Sequence, residues 1–138
     1  MAHPLALLDS DMLSEIMKGR DPRVLHHARE YLQEHRVFQF SIVTRYEVLR
    51  GLQAKDATRQ IAAFLARCRA SVVYPLTEEV VDLAAEIYGS LRKRGQLISD
   101  GDLLIASTAL LLDLVLVTGN VDHFQRIEGL RFLNWRTD

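Results

Sequence analysis

One cysteine stands among 138 residues, and that scarcity excludes two kinds of architecture. Cys68 alone can build neither a disulfide framework nor a cysteine-rich zinc site. It sits in an apolar, arginine-bearing helical run, where a plain buried thiol is expected. Prolines are also few (Pro4, Pro22 and Pro75), and none adjoins a Gly- or Ser-rich stretch that would read as a hinge. With no linker, low-complexity segment or internal repeat, residues 1–138 are expected to form one domain. Long hydrophobic runs are missing as well. The longest, residues 103–117, is interrupted by Ser107, Thr108 and Asp113 and is too short for a bilayer span. The opening MAHPLALLDSD lacks the basic segment of a signal peptide. A cytoplasmic protein without membrane contact is the expectation. Charge of one sign is not in excess either: 17 Lys+Arg against 18 Asp+Glu leave a net charge of -1. That excludes a nucleic-acid binder working by bulk positive charge.

What is present is an ordinary globular balance, 49% hydrophobic and 25% charged. At this length folding removes roughly two-thirds of the unfolded chain's surface from water. Leu5-Ala6-Leu7-Leu8 is a short continuous apolar run of the kind buried on both faces of a parallel sheet. Helices are predicted from Asp11 to Lys18, stopped by Gly19, and from Pro22 through Leu32. Phe38–Val43 reads as a second strand, followed by helices over 44–52 and 58–69. Residues 71–74 form a third strand. Thr77 caps a helix ending near Gly95, and Ser99 caps another that runs over 102–112. Residues 114–117 and 131–135 complete the strands. Alternation of this kind means α/β with a mostly parallel sheet of four to five strands.

Ligands of open parallel sheets collect at the carboxyl ends of the strands. Asp9 follows the first strand, and Glu47 lies one turn into the helix after the second. Asp102 starts the helix leading into the fourth, and Asn120 and Asp122 follow it. Crowded carboxylates repel, so they protonate or share a cation. An all-oxygen set suits Mg²⁺ or Mn²⁺, and such ions assist hydrolysis of phosphate esters. Each acid also has a plainer role on offer. Thr44-x-x-Glu47 and Ser99-x-x-Asp102 both look like capping boxes, Asp9 could cap a helix, and Asp122 could be a turn residue.

Four segments, taken in order, carry a resemblance: Leu7-Leu8-Asp9-Ser10-Asp11, residues 41–51 (SIVTRYEVLRG), residues 98–106 (ISDGDLLIA), and residues 116–124 (LVTGNVDHF). Together with the closing Ile127-Glu128-Gly129-Leu130-Arg131 to Trp135, they resemble the PIN-domain ribonucleases, in particular the VapC-type toxins of toxin–antitoxin pairs. The resemblance implies an α/β/α sandwich. It also implies metal-binding roles for Asp9, Glu47 and Asp102, a supporting hydroxyl at Thr118, and a fourth ligand at Asn120 or Asp122. Ser10 stands where the family commonly has threonine, and Asp11 adds a carboxylate. The implied protein is a Mg²⁺-dependent endoribonuclease acting on RNA such as tRNA. It would form a homodimer and be blocked by a cognate antitoxin. A metal-activated water would attack the phosphodiester without a covalent intermediate.

Two other readings compete. One is a catalytically degenerate PIN module that binds RNA or protein, favoured by Asn120 in place of an acid. The other is a haloacid-dehalogenase-type phosphohydrolase, suggested by Asp9-x-Asp11 but lacking the later acid pair that family requires. Arg45 and Arg50, flanking Glu47, are candidate RNA contacts, and Thr44 is a supporting residue. The five histidines show no metal spacing; His26 and His27 are expected to face solvent, and His123 to lie in a turn beside the site. Tyr31, Phe64 and Tyr88 are expected in the core, and Trp135 in packing or at a partner surface. Residues 18–69 hold eleven Lys/Arg against five acids, and residues 95–128 one Arg against five acids. The near-neutral total thus conceals a basic segment and an acidic one.

Overall fold

Three short central strands whose side chains are buried on both faces organise this chain. The computed structural model describes residues 3–138. In chain order the elements are β1 (Ala6–Leu8), α1 (Ser10–Lys18), α2 (Pro22–His35), β2 (Gln39–Ser41), α3 (Ile42–Ala54) and α4 (Thr58–Arg69). They continue with β3 (Val72–Tyr74), α5 (Glu78–Lys93), α6 (Asp100–Leu111), β4 (Val115–Val117), α7 (Val121–Phe124) and β5 (Phe132–Leu133). The five strands form one sheet in the order β3-β2-β1-β4-β5, and every pairing is parallel. Successive side chains of a strand point to opposite faces. Ala6 and Leu8 of β1 and Val117 of β4 therefore join Met12, Tyr31, Phe40 and Phe64 in one core. Leu7 and Leu116 join Ala84, Leu91, Ile105 and Phe124 in the other. Helices cover both faces, which gives the expected α/β/α sandwich. The chain builds outward from β1 to β3 and then returns to the other side of β1 as β4. The β1–β4 boundary is thus where strand order reverses, and a crevice opens there.

Helix boundaries follow their capping chemistry. Gly19 takes the left-handed conformation (φ 66°) that ends α1. Asp21 accepts from the amides of Arg23 and Val24 ahead of Pro22. Thr77 caps α5 and Ser99 caps α6, as expected. One expectation fails at the second strand. Ile42-Val43-Thr44 is β-branched and reads as extended chain, yet Ser41 ends β2 and caps α3 by accepting from the Val43 amide at 3.0 Å. Thr44 is therefore the third residue of the helix, not its cap. Its hydroxyl is buried without a hydrogen-bond partner, and Glu47 lies beyond the first turn. No capping box is formed at Thr44-x-x-Glu47. The helix predicted over 102–112 likewise starts two residues earlier, at Asp100.

Candidate functional site

The crevice at the β1–β4 boundary is an open cleft of about 360 Å³, lined by Asp9, Ser10, Asp11, Glu47, Asp102, Gly119 and Asn120. Four elements supply its acids. Asp9 terminates β1 and caps α1, with Oδ1 accepting from the Ser10 amide at 2.8 Å. Its Oδ2 accepts from the Thr118 hydroxyl at 2.7 Å, and the Thr118 oxygen accepts in turn from the Asn120 amide at 2.9 Å. Thr118 is fully buried at the end of β4, so it aims Asp9 and fixes the turn that presents Asn120. From α3, Glu47 receives a hydrogen bond from the Ser10 hydroxyl at 2.5 Å. From α6, Asp102 meets the ring of His123 on α7, with Oδ2 2.8 Å from Nδ1. A ring nitrogen that faces a carboxylate so closely carries the proton. The Asn120 amide lies 2.7 Å from that same nitrogen, and it complements the N–H when its oxygen is turned inward.

Burial, followed by the neighbouring charge of Asp11, pushes the Asp9 carboxyl up to about 7; Asp102 adds to the effect, and the bonds from Thr118 and Ser10 oppose it. Asp11 accepts from the Gly119 amide at 3.0 Å with Oδ2, while its Oδ1 is buried with no partner. Arg136 lies 3.8 Å from Asp11 and 3.3 Å from Glu15. It neutralises one flank of the cleft and leaves the Asp9–Glu47–Asp102 flank uncompensated. Oxygen-only donors, a carboxyl raised by burial and then by its neighbours' charge, and an orphaned carboxylate oxygen all fit a hard dication. The side chains are not collapsed on one point: among the described residues, no three of these carboxylates bring an oxygen each within 4.8 Å of one another.

Several expected residues stand elsewhere. Asp122 is exposed on the first turn of α7 and does not line the cleft; of the two alternatives, Asn120 does. Arg45 and Arg50 also lie outside it. On a helix with 100° per residue, Arg45 is roughly 200° from Glu47, and its charge is felt at Cys68. Arg50 lies over the exposed Tyr46 ring at 5.2 Å. The basic side chains that flank the site are others. Lys18, Arg20 and Lys55 line a groove of about 420 Å³ between α1, α3 and α4, whose wall includes Glu47. Helical spacing alone places neither Arg20 nor Lys55, because both follow helix ends. Asp11 was expected as an added carboxylate and His123 as a turn residue beside the site. Both enter its hydrogen bonding, as the carboxylate after β1 and the i+3 partner of Asn120.

Of the aromatic expectations, the one for Tyr88 is corrected. Tyr31 and Phe64 are buried, but Tyr88 is exposed. Trp135 is 2% exposed and packs inside against Tyr31 and two histidines rather than on a surface. His27 does not face solvent: its ring stacks on Trp135.

With this geometry in view, the comparisons with known proteins are decisive. The PIN domain profile matches residues 6–130. This chain belongs to the PIN-domain family. It is 31% identical over 131 residues to ribonuclease VapC1 of Haemophilus influenzae strain R2866, covering 94% of this chain and 96% of that protein. A second relative, ribonuclease VapC1 of Methanocaldococcus jannaschii, is 31% identical over 115 residues, covering 83% and 82%. The solved structure of VapBC-1 from nontypeable Haemophilus influenzae superposes with a TM-score of 0.81 at 28% identity, over 94% of this chain and 97% of that one. PIN membership agrees with the resemblance carried by the four segments and leaves no place for the dehalogenase-type reading.

Proposed function

We propose that this PIN domain is a VapC-type endoribonuclease, the toxin of a toxin–antitoxin pair, which hydrolyses RNA phosphodiesters with the help of Mg²⁺ or Mn²⁺. The observation that carries the reading is the cleft itself. One strand end and two helices direct Asp9, Glu47 and Asp102 into it, in a chain whose relatives are ribonucleases. Asp9, Glu47 and Asp102 would hold the dication, with the Asn120 amide as a neutral ligand. Bound there, the ion supplies charge neutralisation at the scissile phosphate and a more acidic water.

The chain's own residues do the rest. Thr118 donates to Asp9 Oδ2 and the Ser10 amide to Oδ1, which orients both oxygens and leaves each a second lone pair. Ser10 holds Glu47 by one oxygen and so aims the second. His123 donates from Nδ1 to Asp102, and its exposed edge faces solvent, from which a proton can be returned. Lys18, Arg20 and Lys55 would track the RNA backbone along the adjoining groove. An antitoxin would stop the enzyme by covering the acidic cleft, for which an arginine side chain is the matching chemistry.

The direct experiment is RNA cleavage by the wild type, Asp9→Asn and Asp102→Asn, each with Mg²⁺ and with EDTA, alongside growth arrest on expression. Each variant should lose at least about 100-fold in cleavage rate, since each removes a charged group aimed at the reacting centre. Full activity in either variant, or in EDTA, would sink the assignment. A second reading has one observation in its favour. Asn120 stands where an acid was expected, and the carboxylates are spread apart. A non-cleaving RNA-binding module would retain RNA affinity with no Mg²⁺-dependent product.

A further inference from the structure

At the opposite end of β1 from Asp9, three side chains converge in a way the ribonuclease reading does not use. His3 precedes the strand, and His27 and Glu30 lie one turn apart on α2. His3 Nε2 is 3.2 Å from His27 Nδ1 and 3.7 Å from a Glu30 carboxylate oxygen. Ligand atoms about 2.0–2.1 Å from a tetrahedral ion stand roughly 3.3 Å from one another, so these spacings are those of a coordination shell. These three residues are also the group, among those described, whose ligand atoms all fall within 4.8 Å of each other.

The arrangement is preorganised. The His3 amide donates to Glu34 Oε1 at 2.8 Å, and its carbonyl is 2.7 Å from His35 Nε2. Backbone bonds on both sides therefore hold the His3 ring, whose side chain is only 10% exposed. Its second nitrogen, Nδ1, is buried without a hydrogen-bond partner, 3.6 Å from the Glu34 carboxylate. Two neutral imidazole nitrogens that face each other are joined by one shared proton, N–H to lone pair, and a dication can take that proton's place. A cation between them uses both lone pairs. It also places the remaining His3 proton on Nδ1, facing Glu34, the carboxylate–histidine pairing that orients metal-bound rings. Glu30 and Glu34 supply the compensating charge, and the half-exposed His26–Glu30 edge supplies a path from solvent.

We propose that His3, His27 and Glu30 bind a transition-metal dication of the Zn²⁺ class, with one coordination position left for water. Two imidazoles and one carboxylate select such an ion over Mg²⁺, which requires hard oxygen donors. The ion ties the segment ahead of β1 to α2 and to Trp135, on which His27 stacks with ring centroids 5.8 Å apart. Binding to the folded state alone stabilises it by mass action.

Trp135 is the only tryptophan and therefore a built-in reporter. The experiment titrates untagged full-length protein with Zn²⁺ in excess Mg²⁺, following calorimetry, Trp135 fluorescence and thermal unfolding, and repeats it with Co²⁺ for its visible absorption. The wild type should bind one equivalent of Zn²⁺, melt at a higher temperature when loaded, and give the intense visible bands of four-coordinate Co²⁺. Glu30→Gln, at a half-exposed position that leaves packing intact, should weaken binding at least about tenfold, as should His3→Gln, which lies outside every helix and strand. Asp9→Asn and Asp102→Asn should bind Zn²⁺ as the wild type does. Absence of Zn²⁺ binding overturns the proposal. So does binding that survives both Glu30→Gln and His3→Gln, and so does binding lost in the Asp9 and Asp102 variants. The ribonuclease reading stands or falls separately, on RNA cleavage.

Discussion

Asp9 holds its proton more tightly in the folded protein than in the unfolded chain, because burial and the charge of Asp11 disfavour its anion. Its contribution to stability is therefore full below the ordinary value of 3.8 and is lost as pH rises through about 7. In the metal-free protein this loss is on the order of a few kcal/mol across that window. Thermal melts in EDTA should show the wild type falling relative to Asp9→Asn between about pH 4 and pH 7, because the amide carries no titrating charge. Mg²⁺ should raise the melting temperature of the wild type more above this window than below it, since only the anion attracts the ion. Parallel melting curves for the two proteins across the window would remove the electrostatic account of the cleft. His123 makes a separate prediction. Its ring supports Asp102 and is 40% exposed, so truncation empties no core. His123→Ala should leave the circular dichroism and melting temperature close to wild type while lowering the rate of RNA cleavage about 10–100-fold, the range for groups that orient a metal-binding carboxylate. Unchanged cleavage would reduce His123 to a surface contact.

At the scale of elements, two helix starts determine where the acids point, and both are one-atom matters. Ser41 caps α3 through a single bond to the Val43 amide, which sets the rotation that brings Glu47 to the cleft. In the sequence, Ile42-Val43-Thr44 masked this, because β-branched residues suit a strand and Thr44-x-x-Glu47 imitates a cap. The competition is decided by tertiary packing, with Val48 buried against the α1 and α2 core, and no local pattern reports that. The Ser99 cap was legible because its hydroxyl bonds the Asp102 amide, as the spacing suggests. It also leaves the Asp102 carboxylate free for the site, so capping and site roles fall on different residues there. Across from Asp102, α6 passes so close to Glu47 that a Cβ on Gly101 would collide with the Glu47 carboxylate. Gly101 is the second residue of α6, where replacing Gly by Ala gains only part of the roughly 1 kcal/mol seen in a helix interior. Only the flexible end of Glu47 must move to admit the methyl. Gly101→Ala should therefore keep or raise the melting temperature while cutting RNA cleavage sharply. A variant that cleaves normally would show that Glu47 acts elsewhere than in its observed place.

At the scale of the molecule, the sheet and its switch point were readable because they depend on short-range signals: apolar runs of strand length, caps and alternation. Asp9 was readable at a strand end, and Glu47 and Asp102 on helices that begin at the same edge of the sheet. Residues brought in by the path of the chain were not. His3 lies 24 positions from His27, and nothing in either neighbourhood indicates that their rings meet. The basic groove is of the same kind. The count over residues 18–69 located an excess of positive charge, but Arg45 and Arg50, singled out from their nearness to Glu47 in sequence, line neither the cleft nor the groove. Lys18, Arg20 and Lys55 end up beside Glu47 because α1 and α3 pack together with their C-terminal ends on one side. This yields a quantitative test. If these three cations neutralise RNA phosphates, the logarithm of the association constant should fall linearly with the logarithm of salt concentration. Each cation lost should lower the slope by about 0.7 for single-stranded RNA. Lys18→Gln, Arg20→Gln and Lys55→Gln combined should thus flatten the slope by about 2 and weaken binding similarly for all sequences. Arg45→Gln with Arg50→Gln should change it by less than one such step. The binding should be measured in Asp102→Asn, which keeps the groove and spares the RNA. An unchanged slope in the triple variant, or a flattened one in the Arg45 and Arg50 pair, would move the RNA path off this groove and onto the outer face of α3.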